Sequence, residues 1–327
     1  VQAVRQPGSS FKPFVYLTAM DNGMNAATLI DDSEVSVGGW KPQNYERTFH
    51  GKVTLWTALK LSYNLPAVKL AMELGPEKII RNAKALGITT LVESGGQNDV
   101  NAAMALGGLT KGVSPIEMAA AYGTIGNNGV YNKPVAILKI VDRNGKVIYE
   151  HHPSPKQVVS AKAAYQTTDI LMDVLISGTG AGAGLGRPAA GKTGTTDDYK
   201  DAWFVGFTPN LSCAVWIGDD RSRSMGLMTG SMTPLSIWHA FMSRAIREIP
   251  YANFVRPAGA VTPRGEDIGK PEDKDKDKDK DKDAAEKDKK TQEEGKLKNA
   301  TQDKKTDKAA KQPKPAVSNK PSTTTRR

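Results

Sequence analysis

The chain has 327 residues, 39% of them hydrophobic and 24% charged, with a formal net charge of +10 and one cysteine, Cys213. A single cysteine excludes an intramolecular disulfide and a cysteine-based metal site, and no apolar run reaches the ~20 residues of a membrane-spanning helix. The positive excess is shared between the body and a tail in which, from Gly265 onward, 19 Lys/Arg face 15 Asp/Glu; neither part carries a nucleic-acid-binding motif, which argues against DNA or RNA as a partner.

Taken in order, Ser9 and Lys12 stand three apart in "RQPGSSFKPF", and "PFVYLTAMDNG" predicts a short helix ending at Gly23, with Pro13 in its first turn. Residues 24–52 read as loop. Thr54 is placed to cap a helix over "LWTALKLS" that delivers Ser62 at its end. Pro66 then opens "PAVKLAMELG" and Pro76 opens "PEKIIRNAKALG", with Ile79, Ile80, Ala83 and Leu86 on one face and Gly75 and Gly87 as stops. Ser114-Pro115 begins another helix, and "AILKIVDRNGKVIYE" reads as a hairpin with a type I′ turn at Asn144-Gly145. Ser160 caps a long amphipathic helix. The glycine run 178–186 reads as a flexible connector, because no phosphate-loop register fits it.

Three strands, "RPAAGKTGT", "AWFVGFT" and "SCAVWIGD", and a last helix from Thr233-Pro234 complete the body. Helices followed by three closely spaced strands predict an α+β fold, an antiparallel sheet flanked by helices. Cys213 reads as a buried strand residue, and His50, His151, His152 and His239 as surface or packing residues. Residues 1–260 form the expected domain. Residues 261–327, with the alternating run Asp273–Asp283, form a charged tail expected to be disordered; its basic end, 10 Lys/Arg against 4 Asp/Glu beyond Thr291, suits loose contact with anionic polymers.

The chemistry lies in three short patterns in fixed order: Ser9-x-x-Lys12, Ser62-Tyr63-Asn64 and Lys192-Thr193-Gly194. An isolated S-x-x-K arises by chance about once in a chain of this length. The three together are the known signature of β-lactamases and penicillin-binding proteins. A serine at a helix start has its hydroxyl beside unbonded N–H groups, and a lysine one turn on can take its proton if burial and a like charge such as Lys192 lower its pKa. No histidine is tied by a motif to Ser9, which favours this serine–lysine arrangement over a histidine triad. Taken singly, each residue has a plainer reading: Ser9 as a helix cap, Ser62 and Asn64 as caps, Lys192 as a solvated strand end.

"RQPGSSFKPF", "NYERTFHGKVTLWTALKLSYNLPAVKL" and "RPAAGKTGTTDDYKDAWFVGFTP" resemble the transpeptidase domain of the bifunctional, class A penicillin-binding proteins over residues 1–250. The resemblance implies D,D-transpeptidation of peptidoglycan stem peptides in the bacterial cell envelope, inhibition by β-lactams, and no cofactor or metal. It implies Ser9 as nucleophile, Lys12 as general base, Ser62 as proton relay to the leaving amine, Asn64 as the group orienting Lys12 and the donor peptide, and Lys192 as the source of the local field. Thr193 and Thr195, with Gly194 between them, would bind the donor carboxylate, and the backbone N–H groups of Ser9 and Thr195 would form the oxyanion hole. Tyr63 stands at a position that varies, where β-lactamases have Asp.

The resemblance also implies a five-stranded sheet with two strands ahead of the serine, preceded by a glycosyltransferase domain and a membrane anchor. The chain is therefore read as a C-terminal fragment, expected to fold poorly and to react weakly with penicillin by itself. Alternatives are a serine D,D-carboxypeptidase or β-lactamase, weakened by the lack of an E-x-x-L-N between Ser62 and Lys192, and a catalytically silent β-lactam-binding sensor.

Overall fold

A helix that is apolar all round has no face to offer water and ends up inside. That is the fate of α1 (Lys12–Asp21), in which every residue from Lys12 to Met20 is buried. The computed structural model describes residues 2–262, and the charged tail read from the sequence lies almost wholly outside them.

On α1 pack α2 (Leu55–Lys60), α3 (Asn64–Leu74), α4 (Pro76–Ala85), α6 (Ala161–Ser177) and, through Tyr122 against Phe14, α5 (Pro115–Gly126), whereas α7 (Thr233–Ala245) packs on the main sheet. The caps are local and fall where the sequence puts them. Thr54 Oγ1 accepts the N–H of Thr57, Ser160 Oγ accepts that of Ala163, and Ser114 forms a reciprocal capping box with Glu117. The helix expected from Pro66 begins two residues earlier, at Asn64. Proline is tolerated in the first turn, where N–H groups have no helical partner, so Pro66 marks the turn and not the start.

The residues read as loop between 24 and 52 contain a ribbon: β1 (Leu29–Asp32) pairs antiparallel with β2 (Gly51–Thr54), Asp32 opposite Gly51. Two further small ribbons pair β3 (Val130–Tyr131) with β6 (Lys156–Gln157) and β4 (Lys139–Val141) with β5 (Val147–Glu150). The last differs from the expected type I′ hairpin. Asp142 Oδ1 accepts the N–H groups of Asn144 and Lys146, and the Asp142 carbonyl accepts that of Gly145 at 3.1 Å, so Gly145 alone takes a left-handed φ of +81°. The aspartate side chain thus holds a turn that begins one residue earlier than the Asn-Gly pair implies and closes a three-residue loop, the Asp142 N–H bonding the Lys146 carbonyl.

The main sheet is antiparallel in the order β7 (Ala190–Thr195), β8 (Asp201–Phe207), β9 (Ser212–Gly218), as the three strand segments predict. All seven residues of β8 are buried. Alternation sends Phe204 and Gly206 toward Trp238 of α7, and Phe207 toward Tyr122 of α5, so helices cover both faces. α6 packs on β7 and on α1, tying the sheet to the central helix. Cys213 lies on β9 but is half-buried, since β9 is half-exposed throughout; partial burial raises its thiol to about 11.

Candidate active site

Ser9 stands in a short 3-10 turn, Gly8–Phe11, that runs directly into α1, so the serine precedes the α-helix instead of opening it. Gly8 has φ +53°, and a Cβ there would lie 2.3 Å from the Thr195 carbonyl oxygen. A Cβ on Gly107 would lie 2.3 Å from the Gly8 carbonyl oxygen, and one on Gly194 2.4 Å from that of Pro7. The serine turn, the 107 loop and β7 therefore meet backbone to backbone, which only glycine allows. Ser10 faces inward, buried, its hydroxyl donating to the Pro7 carbonyl at 2.7 Å, whereas half-buried Ser9 lines a cleft of about 1010 Å³.

Beneath the cleft floor two lysines converge. Lys12, fully buried, donates to the Ser62 carbonyl and to Asn64 Oδ1, both at 2.6 Å, with Ser62 Oγ at 3.3 Å. Lys192, also fully buried, donates to Ser62 Oγ at 2.8 Å and to the Thr193 carbonyl at 3.1 Å. Burial, then the neighbouring Lys192 charge, holds the Lys12 amine well below the ordinary lysine range, against the opposing pull of Glu46 and Asp32. Burial brings Lys192 down to about 7. Ser62, between the two amines, has a left-handed φ of +62°, uncommon for a residue with a side chain.

Every residue singled out from the sequence thus falls in one place. Ser9, Ser62, Asn64, Thr193 and Thr195 line the cleft, Lys12 and Lys192 lie behind its wall, and Gly194 packs under the serine turn. The plainer readings give way: Lys192 is not solvated, and Asn64 is the first residue of α3, not its cap. Thr193 Oγ1 is 2.7 Å from Thr179 Oγ1, and Thr195 Oγ1 accepts the N–H of Gly230 at 3.1 Å.

Sequence reasoning missed several neighbours. Thr179, inside the glycine run, reaches the cleft because Gly178 and Gly180 lie close against Lys60 and Phe204; a lone threonine among glycines was its only signal. Tyr45 and Tyr199, 154 residues apart, join hydroxyls at 3.1 Å beside the same cleft. Asp32, Asn44 and His50 support the Ser62–Asn64 motif from the ribbon and its loop, and no local spacing announces them. His50 stacks on Tyr63 with ring centroids 4.1 Å apart, a packing role. Among the described residues no cluster of three or more His, Cys, Asp or Glu could hold a metal ion.

Residues 1–223 match the family described as "Penicillin binding protein transpeptidase domain". The chain belongs to the penicillin-binding protein transpeptidase family. It is 40% identical over 265 residues to penicillin-binding protein 1A of Aquifex aeolicus, covering 79% of this chain and 35% of that protein. It is 37% identical over 249 residues to penicillin-binding protein 4 of Bacillus subtilis, covering 75% of this chain and 39% of that one. The chain thus spans little more than a third of the length of these curated relatives. The fold matches PonA1 of Mycobacterium tuberculosis, solved in complex with penicillin V, with a TM-score of 0.73 at 31% identity, over 81% of this chain and 76% of that one. The class A kinship implied by the resemblance, and the helix-flanked antiparallel sheet predicted from the order of helices and strands, are both borne out.

Proposed function

We propose that residues 1–260 act as a peptidoglycan D,D-transpeptidase on the outer side of the bacterial cytoplasmic membrane, with residues 261–327 as a charged appendage that contacts anionic wall polymers. Ser9 Oγ attacks the carbonyl carbon of the penultimate D-alanine of a stem peptide while Lys12 takes the hydroxyl proton. The tetrahedral oxyanion is received by the N–H groups of Ser9 and Thr195. Collapse breaks the C–N bond, Ser62 passes a proton to the departing D-alanine amine, and the acyl group remains on Ser9 as an ester. An amine of a neighbouring stem then attacks that ester, forming the cross-link amide and restoring Ser9. Lys192, Thr193 and Thr195 attract the terminal carboxylate of the donor. A β-lactam follows the first half of this path, with its opened ring left as the ester.

The observation that carries the reading is the setting of Lys12. A neutral lysine has two N–H groups and one lone pair. The two 2.6 Å contacts, to the Ser62 carbonyl and Asn64 Oδ1, use the two N–H groups and leave the lone pair for a hydroxyl, with Ser62 Oγ standing 3.3 Å away, in a site whose burial already favours the neutral amine. The test is to incubate the protein with labelled penicillin and locate the adduct by peptide mass spectrometry. The adduct is expected on Ser9; label on Ser10 or Ser62 with Ser9 clean would refute the assignment.

A further inference from the structure

Asn64 is held at both ends by residues that carry no motif. Its side-chain Nδ2 donates to the Gln43 carbonyl at 2.7 Å, so that Oδ1 is the atom left facing Lys12. Its backbone N–H donates to Asn44 Oδ1 at 2.8 Å, and Leu65 N–H reaches the same oxygen at 3.4 Å. Tyr63, the residue before α3, supplies no side-chain cap, so Asn44 caps the helix from twenty residues away.

Asn44 can do this in only one orientation, and Asp32 sets it. Asp32 is fully buried and offers only acceptors; Asn44 Nδ2 donates to both of its oxygens, at 2.8 and 2.9 Å, and to the Thr48 carbonyl at 2.9 Å. Turning the amide over would set Asn44 Oδ1 against a carboxylate and a carbonyl and its NH₂ against the first N–H groups of α3. Asp32 also receives the His50 backbone N–H at 3.1 Å and lies 2.6 Å from His50 Nδ1, so the ring stacked on Tyr63 is fixed from the same point.

We infer that Asn44 is a positioning residue for acyl transfer: oriented by Asp32, it locks the first turn of α3 so that Asn64 holds Lys12 in line with the reacting serine. The inference rests on the proposed roles of Ser9 and Lys12. It assigns Asn44 no contact with substrate, so the step it serves is the chemical one, not the capture of penicillin.

The experiment measures penicillin acylation of the full chain as a function of penicillin concentration, separating the maximal rate from the half-saturating concentration, with thermal unfolding in parallel. Asn44→Leu is expected to lower the maximal rate by about 10²-fold, the scale of a 1 Å misplacement, with half-saturation little changed. Asn44→Asp sets two carboxylates face to face and is also expected to be slow. Combining it with Asp32→Asn removes the facing carboxylates: the amide at position 32 donates to the carboxylate at position 44, whose other oxygen still accepts the Asn64 N–H, and of the Asn44 contacts only the one to the Thr48 carbonyl is not restored. That pair is expected to acylate at least about tenfold faster than Asn44→Asp alone, a coupling a merely space-filling residue would not produce. A folded Asn44→Leu with the parental maximal rate overturns the inference, and so does a folded pair no faster than Asn44→Asp; if Asn44→Leu does not fold, the exchange decides alone. A parent chain that folds but is not acylated at Ser9 overturns the underlying reading, and the positioning role with it.

Discussion

Replacing Gly8 by alanine adds one methyl group at the place where the serine turn meets β7. The new Cβ would lie 2.3 Å from the Thr195 carbonyl oxygen, where ordinary contact begins near 3.4 Å, so the turn and the strand must part by about 1.1 Å. The atom in the way is backbone, pinned by the pairing of Thr195 with Ala202 on β8, and cannot swing aside. Two costs follow in the folded state: about 1–2 kcal/mol for a left-handed φ on a residue with a Cβ, and about 1–3 kcal/mol for overpacking. At roughly 2–4 °C per kcal/mol for a domain of about this size, the melting temperature should fall by about 4–20 °C. The chemical cost is larger in proportion, because oxyanion donors act only within about 2.7–3.1 Å of the developing charge, and a 1 Å displacement removes about 10²-fold in rate. The assay is penicillin acylation at Ser9 by mass spectrometry beside thermal unfolding. Gly184→Ala, where a Cβ meets nothing within 4 Å, is the control and should leave both unchanged. A Gly8→Ala chain that acylates within twofold of the parent would refute the backbone-to-backbone account of the site.

Lys12→Ala should slow acylation by about 10²–10⁴-fold, the usual worth of a general base, while the fold survives, since the variant no longer buries an amine; a near-parental rate would mean another group takes the proton. The two lysines should also shape the pH profile. In the proposed mechanism Lys12, held well below its ordinary value, must be neutral and sets the acid limb, and Lys192 attracts the carboxylate only while protonated, so the second-order acylation rate should decline as pH rises through about 7. Lys192→Ala should be slow at every pH and lack that alkaline limb; persistence of the limb would detach it from Lys192.

Much of the fold could be read from the chain because its signals are short-range. Thr54, Ser114 and Ser160 cap helices using N–H groups three residues away, and the continuous apolar run of β8 already describes a strand covered on both faces. What escaped depends on contacts across the sequence. The start of α3 was misplaced because the group that caps it, Asn44, lies twenty positions upstream in a segment without hydrophobic period. The Asn144-Gly145 turn was misassigned because the Asp142 side chain competes for the same N–H groups. The three motifs marked the site residues, but the burial of Lys192, which brings its pKa near 7, is a property of the assembled sheet and helices.

Ser62 takes a left-handed backbone conformation that costs a residue with a side chain about 1–3 kcal/mol. Selection for thermal tolerance alone would relax that residue toward glycine, which adopts the same φ without penalty, and would thereby delete the one hydroxyl held 2.8 Å from Lys192 and 3.3 Å from Lys12. Under the proposed relay role of Ser62, stability and turnover pull in opposite directions at a single position. A variant library of this chain screened only for resistance to heat should collect Ser62→Gly among its survivors, and those survivors should be poor acyl transferases.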